Sequence, residues 1–289
     1  MMFKRGISTI KTSAKYTLAY KQYLKSPKGE IRSWFHDLPL DFNKTAATVN
    51  MVVEIPRYEH GKFEISKSEP YNPIVQDTKK GKLRYINNIF PYHGYPCNYG
   101  AIPQTWEDPT HGYDIDGKDY YGDNDPLDVC EIGSSTGVSE VGDVKKVKIL
   151  GCLAMIDDGE LDWKLLAIDV EDKLAREVND IGDVEKKYPH LLGNLRRWFK
   201  NYKLPMGKGE NEFGYNGKWL AKKDAVDVVE TCHNSWKQLM AGTIKGENLP
   251  VIFSATAEQE AQEFVLPESY EGPDANIPDE VNVIYYYKE

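Results

Sequence analysis

The stretches Val144-Lys145-Lys146-Val147-Lys148-Ile149-Leu150-Gly151-Cys152-Leu153 and Trp163-Lys164-Leu165-Leu166-Ala167-Ile168-Asp169-Val170 decide the fold class. Both are rich in apolar and β-branched residues and read as strands. Upstream, Val49, Met51, Val53 and Ile55 alternate with Asn50, Val52 and Glu54, and Lys62-Phe63-Glu64-Ile65 alternates strictly. Short segments of this kind run to about residue 172 and predict a closed or nearly closed antiparallel barrel. Helical periodicity then takes over. Val184, Tyr188, Leu191, Leu195, Trp198 and Tyr202 form one stripe over 183–202, with Pro189 expected to open a second segment at its first turn. Ala225, Val228, Cys232, Trp236, Leu239 and Met240 form another over 221–241, so two helices are expected to cover the barrel. The expected class is mainly β with flanking helices (α+β).

The 289 residues are 40% hydrophobic and 12% aromatic, which is enough for a packed core. A net charge of −9 argues against nucleic acid as a partner, because non-specific binding needs a basic surface that releases counterions. No run of 18 apolar residues is present to form a membrane-spanning helix, and no membrane partner is expected. Cys97, Cys130, Cys152 and Cys232 make no CxxC pair and read as free thiols. Residues 1–29 hold Lys4, Arg5, Lys11, Lys15, Lys21, Lys25 and Lys28 but no acid. That is the composition of a mitochondrial transit peptide or its remnant, and it predicts the mitochondrial matrix. The alternative is a solvated basic arm on a cytoplasmic protein. Residues 30–245 are expected to form the barrel domain, and residues 246–289 an acidic, proline-bearing tail over its surface.

Gly122-Asp123-Asn124-Asp125-Pro126-Leu127-Asp128-Val129 gathers three carboxylates, and Asp157, Asp158, Glu160 and Asp162 follow. Two carboxylates about 4 Å apart repel by roughly 4 kcal/mol at an effective dielectric near 20, so such a cluster calls for cations. In an extended backbone Asp123 and Asp125 point to one side, and Pro126 then turns the chain to bring Asp128 back. Oxygen ligands of this kind suit Mg²⁺. An EF-hand is excluded by Pro126, by Asp128 where glycine is required, and by Ser134 where glutamate is required. The nucleophile motif of haloacid-dehalogenase phosphatases fits poorly, because Asp119-Tyr120-Tyr121-Gly122 is not a buried apolar strand.

Glu160, Asp162 and Lys164 share one strand face, and Lys62 and Glu64 share another opposite Phe63 and Ile65. Either could be an ordinary cross-strand ion pair; beside the aspartates they point to a metal–phosphate site. Arg84, in the basic run Lys79–Tyr85, suits forked recognition of phosphate oxygens. Tyr202-Lys203 would either complement a helix C-terminus or hold a phosphoryl group. The long irregular stretch 91–126 is expected to carry function. No serine or cysteine nucleophile and no P-loop is evident. The residues alone therefore lead to a metal-dependent phosphate hydrolase with Asp125 as a candidate proton acceptor. A phosphatase of sugar phosphates or nucleotides and a non-catalytic binding barrel remain as alternatives.

Asp123-Asn124-Asp125-Pro126-Leu127-Asp128-Val129 resembles the signature of soluble family I inorganic pyrophosphatases. Asn50–Arg57, the run from Asn72 to Trp106, Asp157–Lys164 and Cys232–Lys237 are similar to the eukaryotic branch, most of all its fungal mitochondrial form. The resemblance covers about residues 15–241. It implies a five-stranded OB-like barrel and hydrolysis of diphosphate to two phosphates with three to four Mg²⁺, for which Mn²⁺, Zn²⁺ or Co²⁺ substitute. By resemblance, Asp123, Asp128 and Asp162 bind a first metal and Asp128 also a second. Asp157 and Asp162 hold a third, and Glu64 a fourth partly through water. Asp125 is the general base, Lys62, Arg84, Lys164, Tyr202 and Lys203 bind phosphates, and Tyr99 and Glu54 support the site. A homodimer is usual in the family. The tryptophan that follows Pro-Arg there is Tyr58 here, and Val281–Tyr287 has none, so a monomer or weak dimer is expected as readily.

Overall fold

Strands β1 (Thr48–Ile55), β2 (Asn98–Ala101), β3 (Asp128–Glu131), β4 (Val144–Asp157) and β5 (Glu160–Asp169) close into a ring in the computed structural model. The structure describes residues 8–134, 137–254, 264–265 and 267–287. Around the ring, β3 pairs with β2, β2 with β1, β1 with the first part of β4, β4 with β5, and β5 with β3. The expected five-stranded closed barrel is present. It is not antiparallel throughout, because β3 and β5 run parallel. A closed ring with an odd number of strands cannot alternate direction all the way round, so one parallel seam is unavoidable.

The β4–β5 hairpin turns at Asp158 and Gly159, both at positive φ (51° and 95°), the two-residue geometry that matches strand twist. Its register shifts near Gly151, as the β1–β2 register does between Tyr99 and Gly100. A Cβ on Gly100 would lie 1.8 Å from the Val52 carbonyl oxygen, so only glycine allows that approach.

Apolar alternation sends side chains to three clusters. Val49, Met51 and Val53 of β1 join Leu161, Trp163, Leu165 and Ala167 of β5 beneath helix Lys222–Met240, which adds Ala225, Val228, Val229 and Cys232. Leu153, Met155, Leu166 and Ile168 pack with Val184, Leu192, Leu195, Trp198 and Phe199 from the helices Ile181–Lys187 and Leu191–Asn201. The 183–202 stripe is thus two helices. Pro189 lies ahead of the second rather than in its first turn, and His190 caps that helix at φ 69°. β1 is buried on both faces rather than one, because Val52 on its other side packs with Tyr20, Leu24, Trp34, Phe35 and Trp106.

That third cluster corrects the expectation of a solvated basic arm where it falls on residues 8–29. Lys21–Lys25 pairs with Ser8–Lys11 and with Ile74–Gln76, which pairs in turn with Phe63–Ile65. Tyr20, Tyr23 and Leu24 are buried and draw the segment onto the barrel, while Lys15 and Lys21 reach Asp274 and Glu69 at the surface. Residues 1–7 lie outside the described residues. Of the acidic segment 246–289, Tyr270 and Ala275 donate backbone hydrogen bonds to Lys11 and Lys15, and Ile284–Tyr285 pairs in parallel with Asn88–Ile89. All four cysteines are buried and free. No helix among the described residues is long and apolar enough to cross a membrane.

Within the third region His36 is 1% exposed. Its Nδ1 accepts from the Trp236 indole (3.0 Å), leaving Nε2 to donate to the Val251 carbonyl (3.1 Å). Burial lowers its pKa to about 4 from 6.5. Between those values the unfolded chain binds a proton that the folded one refuses, so this contribution to stability is full above about pH 6.5 and lost as pH falls toward 4. The expected loss is about 3 kcal/mol. Urea unfolding at pH 7, 5.5 and 4.5 should show it, and His36→Gln should remove that part of the slope.

Candidate active site

One cavity of about 340 Å³ is lined by all thirteen side chains to which the family resemblance gives a role: Glu54, Lys62, Glu64, Arg84, Tyr99, Asp123, Asp125, Asp128, Asp157, Asp162, Lys164, Tyr202 and Lys203. Strand alternation delivers several of them. On β5 the odd residues Leu161, Trp163 and Leu165 enter the core under the long helix, so the even ones, Asp162 and Lys164, face the cavity and are 5% and 2% exposed. Asp128 opens β3, Tyr99 lies on β2 and Glu54 on β1, each pointing the same way. Phe63 and Ile65 are buried while Glu64 between them lines the cavity, as their alternation predicts.

The aspartate segment reaches the cavity by a turn. Asn124 sits at φ 71° and the Asp125 N–H donates to Asp123 Oδ1 (2.9 Å), so the backbone is not extended as expected. The short aspartate side chain captures a backbone donor two residues on, which closes a turn in preference to a strand. Gly122 bridges Leu161 of β5, which sets Asp123 beside Asp162. A Cβ on Gly122 would lie 2.4 Å from the Glu107 carbonyl oxygen, so glycine permits this approach too. Backbone bonds from Glu107 N to Asp125 O and from Asn124 N to Glu107 O, both 2.9 Å, join the turn to the 105–108 loop.

That loop brings a carboxylate the sequence reading missed. Ligand oxygens of Glu107, Asp123 and Asp162 lie within 4.8 Å of one another. Glu107 Oε1 accepts from the Trp163 N–H (2.9 Å), while its buried Oε2 has no hydrogen-bond partner. Burial, then the charge of Asp123, holds Glu107 far above the usual carboxylate range, and burial with Asp125 does the same to Asp123. Burial also drives Asp162 up to about 7, although Lys164 opposes the shift. An orphaned buried oxygen among carboxylates of raised pKa fits a divalent cation with oxygen ligands. The signal for Glu107 was its place in the irregular stretch 91–126.

Asp128 is held differently. Lys164 Nζ contacts Asp128 and Asp162 together and lies 2.9 Å from the Tyr99 hydroxyl, which itself donates to Asp128. Burial works against the ammonium, but Asp128 and Asp162 outweigh it and hold Lys164 well above its ordinary range. Around the rim Lys203 pairs with Asp157, Arg84 with Asp77, and Lys62 with Glu64 and, at 3.5 Å, Asp77. Glu54 Oε1 accepts from Ile65 N–H (2.7 Å), and burial raises its pKa. Tyr95 and Lys208 also line the cavity and were missed; Tyr95 packs 4.8 Å from the Tyr99 ring. Glu160, grouped with the acids in the sequence, is exposed and outside the cavity.

The profile of the family described as Inorganic pyrophosphatase matches residues 51–237. The mitochondrial inorganic pyrophosphatase of Saccharomyces cerevisiae is 50% identical over 286 residues, 98% of this chain and 90% of that protein. Inorganic pyrophosphatase of Bos taurus is 47% identical over 257 residues, covering 89% and 87%. Among solved structures, inorganic pyrophosphatase from Schistosoma japonicum superposes with a TM-score of 0.88 at 38% identity, covering 97% of this chain and all of that one. With the barrel, the carboxylate cavity and these likenesses in agreement, the chain belongs to the inorganic pyrophosphatase family and hydrolyses inorganic diphosphate to phosphate.

Proposed function

We propose that hydrolysis proceeds by attack of water on phosphorus, with Asp125 accepting the water's proton. The observation that carries this reading is the mixed lining of the cavity. Eight carboxylates (Glu54, Glu64, Asp123, Asp125, Asp128, Asp157, Asp158 and Asp162) share it with six cationic side chains (Lys62, Lys79, Arg84, Lys164, Lys203 and Lys208). A site for cations alone has no use for the lysines, and a site for anions alone has no use for the acids. Mg²⁺, roughly three to four ions, would be held by Asp123, Asp128, Asp157, Asp162 and Glu64, with Glu107 beside them, and supplies Lewis-acid activation of water and neutralisation of phosphate charge. Lys62, Arg84, Lys164, Tyr202 and Lys203 bind and orient the two phosphoryl groups. Tyr99 and Glu54 support the site, Tyr99 through its bond to Asp128 and Glu54 through the backbone of Ile65.

Asp125→Asn should lower the rate of phosphate release from diphosphate by at least about 100-fold, the scale of a lost general base. The parent should release phosphate from diphosphate far faster than from ATP under the same Mg²⁺. Comparable turnover of ATP would refute a diphosphate-specific site.

Removing one carboxylate from the crowded group separates repulsion from metal binding. Asp123→Asn should leave the melting temperature of the chelator-treated protein unchanged or higher, because one buried like charge is gone. The same variant should lose most of the rise in melting temperature that Mg²⁺ gives the parent, since stabilisation by a ligand follows its affinity for the folded state. An undiminished Mg²⁺ response would exclude Asp123 as a ligand.

We infer that the protein acts in mitochondria, supported by the long alignment with a relative named mitochondrial. Its assembly state is proposed as a monomer or weak dimer, since Tyr58 replaces the tryptophan the family resemblance implies and is 60% exposed. Fractionating cells that express the full chain, then light scattering on the purified protein over a concentration series, checks both. Recovery in the cytosol, or a concentration-independent dimer, would overturn the corresponding statement.

A further inference from the structure

Asp125 is tied to a lysine that belongs neither to the cavity lining nor to the proposed ligand set. Lys67 Nζ lies 2.8 Å from Asp125 Oδ1. Lys67 stands two residues past the strand Phe63–Ile65, and its side chain is about one-third exposed. An exposed ion pair of this kind often contributes little to stability. Here both ends of the pair are fastened to one further segment, which follows the long helix.

On the aspartate side, Asn124 Nδ2 donates to the Asn248 carbonyl (2.9 Å), while Asn124 Oδ1 accepts from the Trp106 indole (2.9 Å). The residue between Asp123 and Asp125 is therefore held by its amide from two directions. On the lysine side, the Val251 N–H donates to the Lys67 carbonyl (2.8 Å). The Val251 carbonyl in turn accepts from His36 Nε2 (3.1 Å) and from Asn72 Nδ2 (3.4 Å), and Asn72 also donates to the Ser66 carbonyl (3.0 Å). His36 and Asn72 are 1% and 0% exposed, so Val251 is anchored to rigid core. Residues 248–251 thus span the aspartate turn and the Lys67 loop, binding each by its backbone.

We propose that Lys67 is a positioning residue for Asp125, and that residues 248–251 form a strap that holds lysine and aspartate in register. The ammonium engages Oδ1 and so fixes the plane of the carboxylate, which directs Oδ2 to the water whose proton it takes. Such a turn, with one positive-φ residue and a half-exposed aspartate, has little else to fix the side-chain torsion. Small errors in the placement of a reacting group lower a rate substantially. Lys203 and Lys164 bind other carboxylates and cannot do this for Asp125. The inference rests on the proposed role of Asp125 as proton acceptor.

The test is steady-state kinetics with diphosphate at saturating Mg²⁺ on the full chain, comparing the parent with Lys67→Met, Lys67→Arg, Val251→Pro, Asp125→Asn and Lys67→Met combined with Asp125→Asn. Lys67→Met should lower kcat about tenfold with KM within about twofold, and Lys67→Arg should recover most of the loss. Val251→Pro, which removes the N–H that holds the Lys67 carbonyl, should reproduce the kcat loss. In the Asp125→Asn background, Lys67→Met should change the residual rate no further, which a merely structural lysine would not produce. The proposal is overturned if Lys67→Met leaves kcat within twofold, if it raises KM instead, or if its effect is the same with and without the Asp125 carboxylate. Parent-like activity of Asp125→Asn overturns the role of Asp125 itself, a different result from an active Lys67→Met with an inactive Asp125→Asn. Melting temperatures identify any variant that fails to fold, and if Val251→Pro does, the Lys67 variants alone decide.

Discussion

Like charges held at close quarters set the terms for the whole molecule. The cavity gathers carboxylates from β1, the strand Phe63–Ile65, β3, the end of β4, β5 and the turns at Asp123–Asp125 and Asp158, several of them buried. Each ionised pair about 4 Å apart costs roughly 4 kcal/mol at an effective dielectric near 20. The chain answers with Lys164, which touches Asp128 and Asp162 together and is itself nearly inaccessible to water. It leaves Glu107 and Asp123 short of positive charge, their pKa values raised by burial and by neighbouring carboxylates, and even Asp162 stays raised by burial and Asp128 against the pull of Lys164. Incomplete internal neutralisation is what makes the group receptive to a cation, since a fully paired cluster would gain nothing by binding one.

The barrel keeps this balance by removing freedom of register. In β5 the same ten residues supply core on one side and site on the other. A slip by one residue would bury Asp162 and Lys164 under the long helix and turn Trp163 and Leu165 into the cavity. Ring closure excludes such a slip, because β5 is paired on both edges, to β4 and to β3. The parallel seam matters to the chemistry as well as to topology. It sets Asp128 opposite Lys164 in register, and so joins the first residue of one strand to the lysine of the other.

Much of this was legible in the residues. Alternation located Asp162 and Lys164 against Leu161 and Trp163, and Glu64 against Phe63 and Ile65, because a half-buried strand with period two has one possible assignment of faces. The acid-rich Asp123–Asp128 turn was visible by composition. Its conformation was not, since the hydrogen bond from Asp125 to the Asp123 side chain competes with extension and leaves no periodic trace. Glu107 was hidden for another reason: its position depends on bonds to Trp163 and Asp125, far away in sequence, and a lone acid in a loop is ordinary. The basic segment before residue 30 misled because charge dominates its composition, whereas Tyr20, Tyr23 and Leu24 decide where it goes. The family resemblance supplied the division of labour among the acids, which spacing alone left open.

Irregular segments carry much of the site, and they are held by one another and by single bonds to the long helix and to β5. Trp106 donates from its backbone to Cys232 on the long helix and from its indole to Asn124 in the aspartate turn. Glu107 is bonded to that same turn in both directions. A disturbance of the helix near Cys232 is thereby passed to the carboxylates through hydrogen bonds, without any change in the strands. The barrel fixes Asp128, Asp162 and Lys164 by pairing; the loops fix Glu107, Asp123 and Asp125 by bonding to one another. Metal affinity should therefore be sensitive to loop contacts that contribute little to global stability, because the oxygens that must converge are distributed across both kinds of support.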